Sequence, residues 1–151
     1  MTKQKVLDAI EHTKKVHLEQ MHTIDSLLKG YKVENPTPLS KQECGCGKWF
    51  YRNEDEMKTI LGAQLFEKID FAHEEWHKEY ASIYNIFYNR QKKVGFFAKL
   101  LKNDQVDSLE LDKAKMYYVD LKKKTDELLK VAESALRRIS ALSESKFQAD
   151  E

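Results

Sequence analysis

The chain has 151 residues, 41% apolar and 34% charged, with 26 Lys and Arg against 25 Asp and Glu for a net charge of +1. That length suffices for one domain with one hydrophobic core, and 5 Gly with 2 Pro favour an all-helical protein over a β-rich one. The interspersed charge shows no basic stripe for nucleic acid, and no apolar run reaches membrane-spanning length. The N-terminal "MTKQKVLDAIEH" lacks a signal-peptide core, so a cytosolic protein is expected, its two cysteines free or metal-bound rather than bridged.

Residues 3–29 read as a first helix, since Val6, Ile10, Thr13, His17, Met21, Ile24 and Leu28 share one stripe at 100° per residue. Gly30 is its expected stop. Residues 31–47 form a connection holding both prolines and the stretch "ECGCGKW" runs across its end. A short helix is expected over 53–61, with Asn53 as N-cap and Glu56 three positions on. A longer helix follows over 63–102, loosened near Gly95, with an aromatic face that includes Trp76, Tyr80 and Tyr84. The last helix, over 108–142, carries a stripe from Leu111 through Leu121 and Leu128 to Ile139, and the charged tail after it is expected to be flexible. Burying these stripes against one another predicts an all-α four-helix bundle in which the short helix follows the Cys-Gly turn.

The helical wheel separates the histidines. His17 lies inside the first apolar stripe, while His12 and His22 fall about 140° away on either side and are expected in solvent. His73 and His77 are one turn apart, with Cβ atoms about 5–6 Å from each other on a face bordering the aromatic stripe. Singly, each is an ordinary helix histidine. Three imidazoles on facing apolar stripes, with a thiol on a nearby turn, would be unfavourable to bury without a shared partner. Neutral imidazole and thiolate together suit Zn²⁺, and one Cys with three His makes a closed tetrahedral set. Which thiol serves, Cys44 or Cys46, is open at this point.

His17, then "CGCGKW" from Cys44 to Trp49, then "HEEWH" from His73 to His77, together resemble the signature of the chemoreceptor zinc-binding (CZB) domain: an early His, a Cys-x-hydrophobic-Gly-x-aromatic turn, and His-x₃-His. The resemblance covers roughly residues 13–90, with the last helix completing the bundle. It implies Zn²⁺ held by His17, Cys44, His73 and His77, because the register through Gly47 and Trp49 places the family's Cys at Cys44. Cys46 then stands where the family has an apolar residue, and Gln20 where it usually has a bulky one. The resemblance further implies a bacterial regulatory domain attached to chemoreceptors or diguanylate cyclases, which reports zinc or oxidants and catalyses nothing. No such output module is visible here, and Met1 with a self-contained bundle leads one to expect a free-standing chain, signalling by contact through the last helix, for example as a homodimer.

"HEEWH" also satisfies the His-Glu-x-x-His signature of zinc metalloproteases, with Glu74 as general base. No His follows His77 and no strand is evident, so that alternative is disfavoured, as is a hemerythrin-like di-iron site, which needs a Glu four residues after a His. A bundle without any metal is the remaining alternative.

Overall fold

The computed structural model describes residues 1–89 and 106–147. It is all-helical, with five α-helices and no strand among the described residues: α1 (Lys3–Leu28), α2 (Gly45–Arg52), α3 (Glu54–Leu61), α4 (Ala63–Tyr88) and α5 (Ser108–Ala141). Instead of one short helix beside three long ones, two helices of 8 residues each, α2 and α3, stand between α1 and α4.

Local chemistry explains most of the boundaries. Thr2 caps α1 by accepting the Lys5 N–H at 3.3 Å, and the helix stops as expected at Gly30, whose φ of +90° is open to glycine at little cost. There Tyr31 N–H donates to Ser26 O and Gly30 N–H to Leu27 O, both at 3.1 Å, the paired bonds of a Schellman end. Asp107 caps α5 by accepting the Glu110 N–H at 2.8 Å. Asn53 is no such cap for α3; its amide instead donates to the Trp49 carbonyl at 2.7 Å, closing α2. Glu54, Asp55 and Glu56 support α3 from its first turn, where the helix dipole favours negative charge. Gly62, at φ +76°, separates α3 from α4, and Arg138 Nε on α5 satisfies the Ile60 carbonyl there at 3.1 Å. Helix α4 ends at Tyr88 rather than 102; residues 90–102 of the expected helix, Gly95 included, lie outside the described residues.

Helix α5 packs along α4 and α1 and runs antiparallel to both, so the early part of α1 and α4 meets its later part. The core forms two large apolar layers, with a smaller cluster of Leu28, Ile86 and Ala114 beyond the second. One gathers Val6, Ile10, Met57, Leu61, Phe66 and Ile139; the other gathers Met21, Ile24, Trp76, Tyr80, Ile83 and Leu121. Between them lie the polar positions His17, His73 and His77, all buried. Trp76 is fully buried, and its indole N–H donates to Thr125 Oγ1 at 2.9 Å, which keeps the ring's one polar atom paired. Past Leu142, Glu144–Lys146 form a 3₁₀ turn and Phe147 packs on the first layer.

The connection over 31–44 lies along α4, held by a ladder of bonds from α4 side chains. Tyr88 Oη donates to Val33 O at 3.0 Å, Tyr80 Oη to Thr37 O at 2.9 Å, and His77 Nδ1 to Leu39 O at 3.0 Å. Lys41 Nζ closes the ladder on Asp70 at 2.5 Å and Glu74 at 3.0 Å. This strap delivers Cys44 to the middle of α4.

Candidate metal centre

Helix α2 begins where the sequence reading expects an irregular turn. Cys44 occupies the N-cap in extended geometry, and its Sγ accepts the Gly47 N–H at 3.3 Å, a role usually filled by a side-chain oxygen. A sulfur so placed sits at the positive end of the helix dipole, which favours thiolate. Gly47 is needed for space rather than backbone freedom, because an added Cβ would lie 1.7 Å from the Lys41 carbonyl oxygen. Gly45 meets neither demand: nothing lies within 4 Å of a Cβ there, and among the described glycines only Gly30 and Gly62 take positive φ. Of these two glycines, Gly45 and Gly47, only Gly47 is required, and the requirement is steric.

The three buried imidazoles share one orientation, each with Nδ1 outward and Nε2 inward. His17 Nδ1 donates to the Thr13 carbonyl at 2.8 Å and His77 Nδ1 to the Leu39 carbonyl at 3.0 Å. A carbonyl can only accept, so both protons are on Nδ1 and both Nε2 atoms present lone pairs. His73 is fixed one step further out. Tyr51 Oη donates to Asp70 at 2.7 Å, so its oxygen is left to accept from His73 Nδ1 at 3.2 Å. Lys41 holds that Asp70 carboxylate in turn. Such outer partners set the tautomer and orientation of a metal-binding imidazole.

The inward atoms converge. Cys44 Sγ lies 3.2 Å from His73 Nε2, which lies 3.2 Å from His77 Nε2. One ligand atom from each of His17, Cys44, His73 and His77 lies within 4.8 Å of the others. A tetrahedron with zinc–nitrogen bonds of ~2.0–2.1 Å and a zinc–sulfur bond of ~2.3 Å has edges of about 3.3–3.6 Å, so the cluster is near the size a zinc ion requires. Two of the imidazoles thus aim unprotonated nitrogens at each other, and His17 Nε2 is buried with no hydrogen-bond partner at all. Protonation does not resolve this, because burial first, and the neighbouring His73 second, push His17 down to about 4. Cys44 adds negative charge: the hydrogen bond from Cys46 outweighs burial and holds its thiol far below the usual range. Cys46, whose S–H is engaged with Cys44 and which is itself buried, is pushed up, so the proton of the pair resides on Cys46. Four inward-facing ligand atoms in a buried pocket are the complement of a cation, and N₃S chemistry fits Zn²⁺.

All four residues expected to bind metal are therefore brought together, and His12 and His22 are exposed as anticipated. Tyr51, Asp70 and Lys41 went unread as parts of the site, because a partner of a ligand leaves no spacing rule in the sequence. Tyr51→Phe, which keeps the ring parallel to His73 but leaves His73 Nδ1 without an acceptor, is expected to weaken zinc binding about 10- to 100-fold in competition with a chromogenic chelator. Gln20, where the resembled family usually has a bulky residue, has its amide oxygen buried without a hydrogen-bond partner among the described residues.

Residues 17–84 match the family model of the chemoreceptor zinc-binding domain, CZB. That segment, from His17 to Tyr84, is therefore similar to a CZB domain. The match begins at His17 itself and runs through α2 and α3 to Tyr84 in α4, so it contains the whole ligand cluster, while α5 lies outside it. No curated protein and no solved structure matches the chain. Among the described residues no helix is long and apolar enough to cross a membrane.

Proposed function

We propose that His17, Cys44, His73 and His77 hold one Zn²⁺ per chain, and that the CZB-like domain serves as a cytoplasmic regulatory module in bacterial signalling of the chemotaxis or cyclic-di-GMP kind. The unpartnered Nε2 of His17, buried opposite a thiol and two inward-facing imidazoles, is the observation that carries this reading. With three His and one Cys the coordination is closed, which suits a structural or sensing site rather than a hydrolytic one. Metal occupancy would tie α1, the N-terminus of α2 and α4 to one point between the two core layers and so bias their packing, in a domain organised as a four-helix-type bundle.

The thiolate is also the ligand that oxidants attack. Converting Cys44 to a sulfenic acid with hypochlorous acid weakens its hold on zinc, which makes the site a redox switch as well as a metal sensor. Output by contact would use the outer face of α5, where Leu109, Met116 and Val119 are exposed, for a homodimer or a signalling partner.

The ion pairing of Glu74, the expected base, speaks against the metalloprotease reading. Glu74 is ion-paired at 3.0 Å with both Lys41 and Lys78, and those cations, Lys78 first, hold its carboxylate below the usual range, where it is a poor proton acceptor. Cys44 moreover fills the position a catalytic water would need. The purified protein should contain one equivalent of zinc by elemental analysis and lose it on Cys44→Ala or His77→Ala. Metal content independent of Cys44 would sink the assignment; casein cleavage abolished by Glu74→Gln with zinc retained would establish the protease instead.

A further inference from the structure

Cys46 is a second thiol inside the site that the four-ligand set does not use. It is buried at 4% exposure, with Sγ 3.4 Å from Cys44 Sγ and 3.7 Å from His73 Nε2. We propose that Cys46 is the resolving thiol of the centre: after oxidation of Cys44 it closes a Cys44–Cys46 disulfide, which turns off metal binding reversibly. This rests on the redox reading above.

The geometry suits attack without unfolding. Cys44 is the N-cap and Cys46 the second residue of α2, so both sulfurs leave the same helix end on the same side, and 3.4 Å has to shorten to ~2.05 Å to form the bond. Gly45 between them is exposed, with open space where a side chain would be, so the chain at this end of α2 is only thinly covered. In the first step the Cys44 thiolate displaces chloride from hypochlorous acid, giving Cys44 Sγ–OH and Cl⁻ in a two-electron oxidation of sulfur. In the second, Cys46 Sγ, 3.4 Å away, attacks Cys44 Sγ as its S–H proton leaves. The S–O bond breaks, and the departing hydroxide takes up the proton as water. Such a short loop is strained as a disulfide and correspondingly easy to reduce, as a switch that resets requires.

Zinc-loaded full-length protein, Cys46→Ala and Cys46→Ser are to be treated with stoichiometric hypochlorous acid and followed by zinc release, intact mass and alkylation of free thiols. All three should start with equal zinc. The unmodified protein should end two hydrogens lighter as a monomer, with neither cysteine alkylated, and should rebind zinc after dithiothreitol. Both variants should gain oxygen at Cys44, react with a sulfenic-acid trap, and recover roughly tenfold less zinc binding after overoxidation. An oxygenated Cys44 beside an alkylatable Cys46 in the unmodified protein, or a disulfide between two chains, overturns the resolving role and leaves the redox switch standing. Zinc retained with both thiols intact overturns the switch itself.

Discussion

Stripping the protein with a strong chelator is expected to lower its melting temperature by on the order of 10 °C without unfolding it at 25 °C. Ligand present at a thousandfold excess over its dissociation constant contributes about 4 kcal/mol, and 1 kcal/mol moves the midpoint of a chain this size by roughly 2–4 °C. The chain stays folded because both apolar layers are complete without metal: Val6, Met57, Ile83, Leu121 and Ile139 are fully buried, as is Trp76, which packs edge-on against His17 and His77. What suffers is the layer between them, where three Nε2 lone pairs and a thiolate then face one another in a buried space. His17→Ala should reproduce the lower midpoint and remove the response to added zinc. Calorimetric curves that superimpose with and without chelator, at a measured zinc content of one equivalent, would be the decisive contrary result.

Gly47→Ala is expected to destabilise the protein by at least about 3 kcal/mol and to weaken zinc binding by about 100-fold, whereas Gly45→Ala should be neutral or stabilising by up to about 1 kcal/mol. The two positions look alike in "CGCG", yet their surroundings differ completely. A methyl group at Gly47 would sit 1.7 Å from the Lys41 carbonyl oxygen and 3.1 Å from Cys44 Sγ, and the carbonyl belongs to backbone held by the Lys41 ion pairs and the strap along α4. Relief requires moving the N-terminus of α2, which carries the thiol out of register with His73. At Gly45 the methyl points into open space on a helix that gains from the better helix former. Denaturant melts and chelator competition on the two variants separate the cases, and equal effects at both positions would refute a steric requirement at Gly47.

How much of this was readable beforehand follows from the physical range of each signal. The buried faces of α1 and α5 repeat every three to four residues because a helix does, and Val6, Ile10, His17, Met21, Ile24 and Leu28 were each in place on that basis alone. The spacing of His73 and His77 dictates one face for the same reason. Helix α2 was missed because its strongest support is not propensity: two glycines, Trp49, Phe50 and Tyr51 are indifferent or poor helix formers, and a sulfur serving as N-cap carries no familiar sequence mark. Asn53 and Glu56 matched a capping pattern, yet the Asn53 amide turned back to α2, since two abutting helices compete for the same side chain.

By itself, then, the sequence determined that this is a helical protein, which residues each long helix buries, and which four side chains have the chemistry for zinc. Only the tertiary structure decided that the four meet, since the 26 residues between His17 and Cys44 give no direction to the thiol until the strap over 31–44 is laid along α4. It likewise decided which ring nitrogen faces inward, through acceptors at Thr13, Leu39 and Tyr51 that are remote in sequence from two of the three imidazoles they orient. Periodicity is a property of one helix and survives in the sequence. Convergence depends on how separate elements pack, and it is set by contacts that no local pattern encodes.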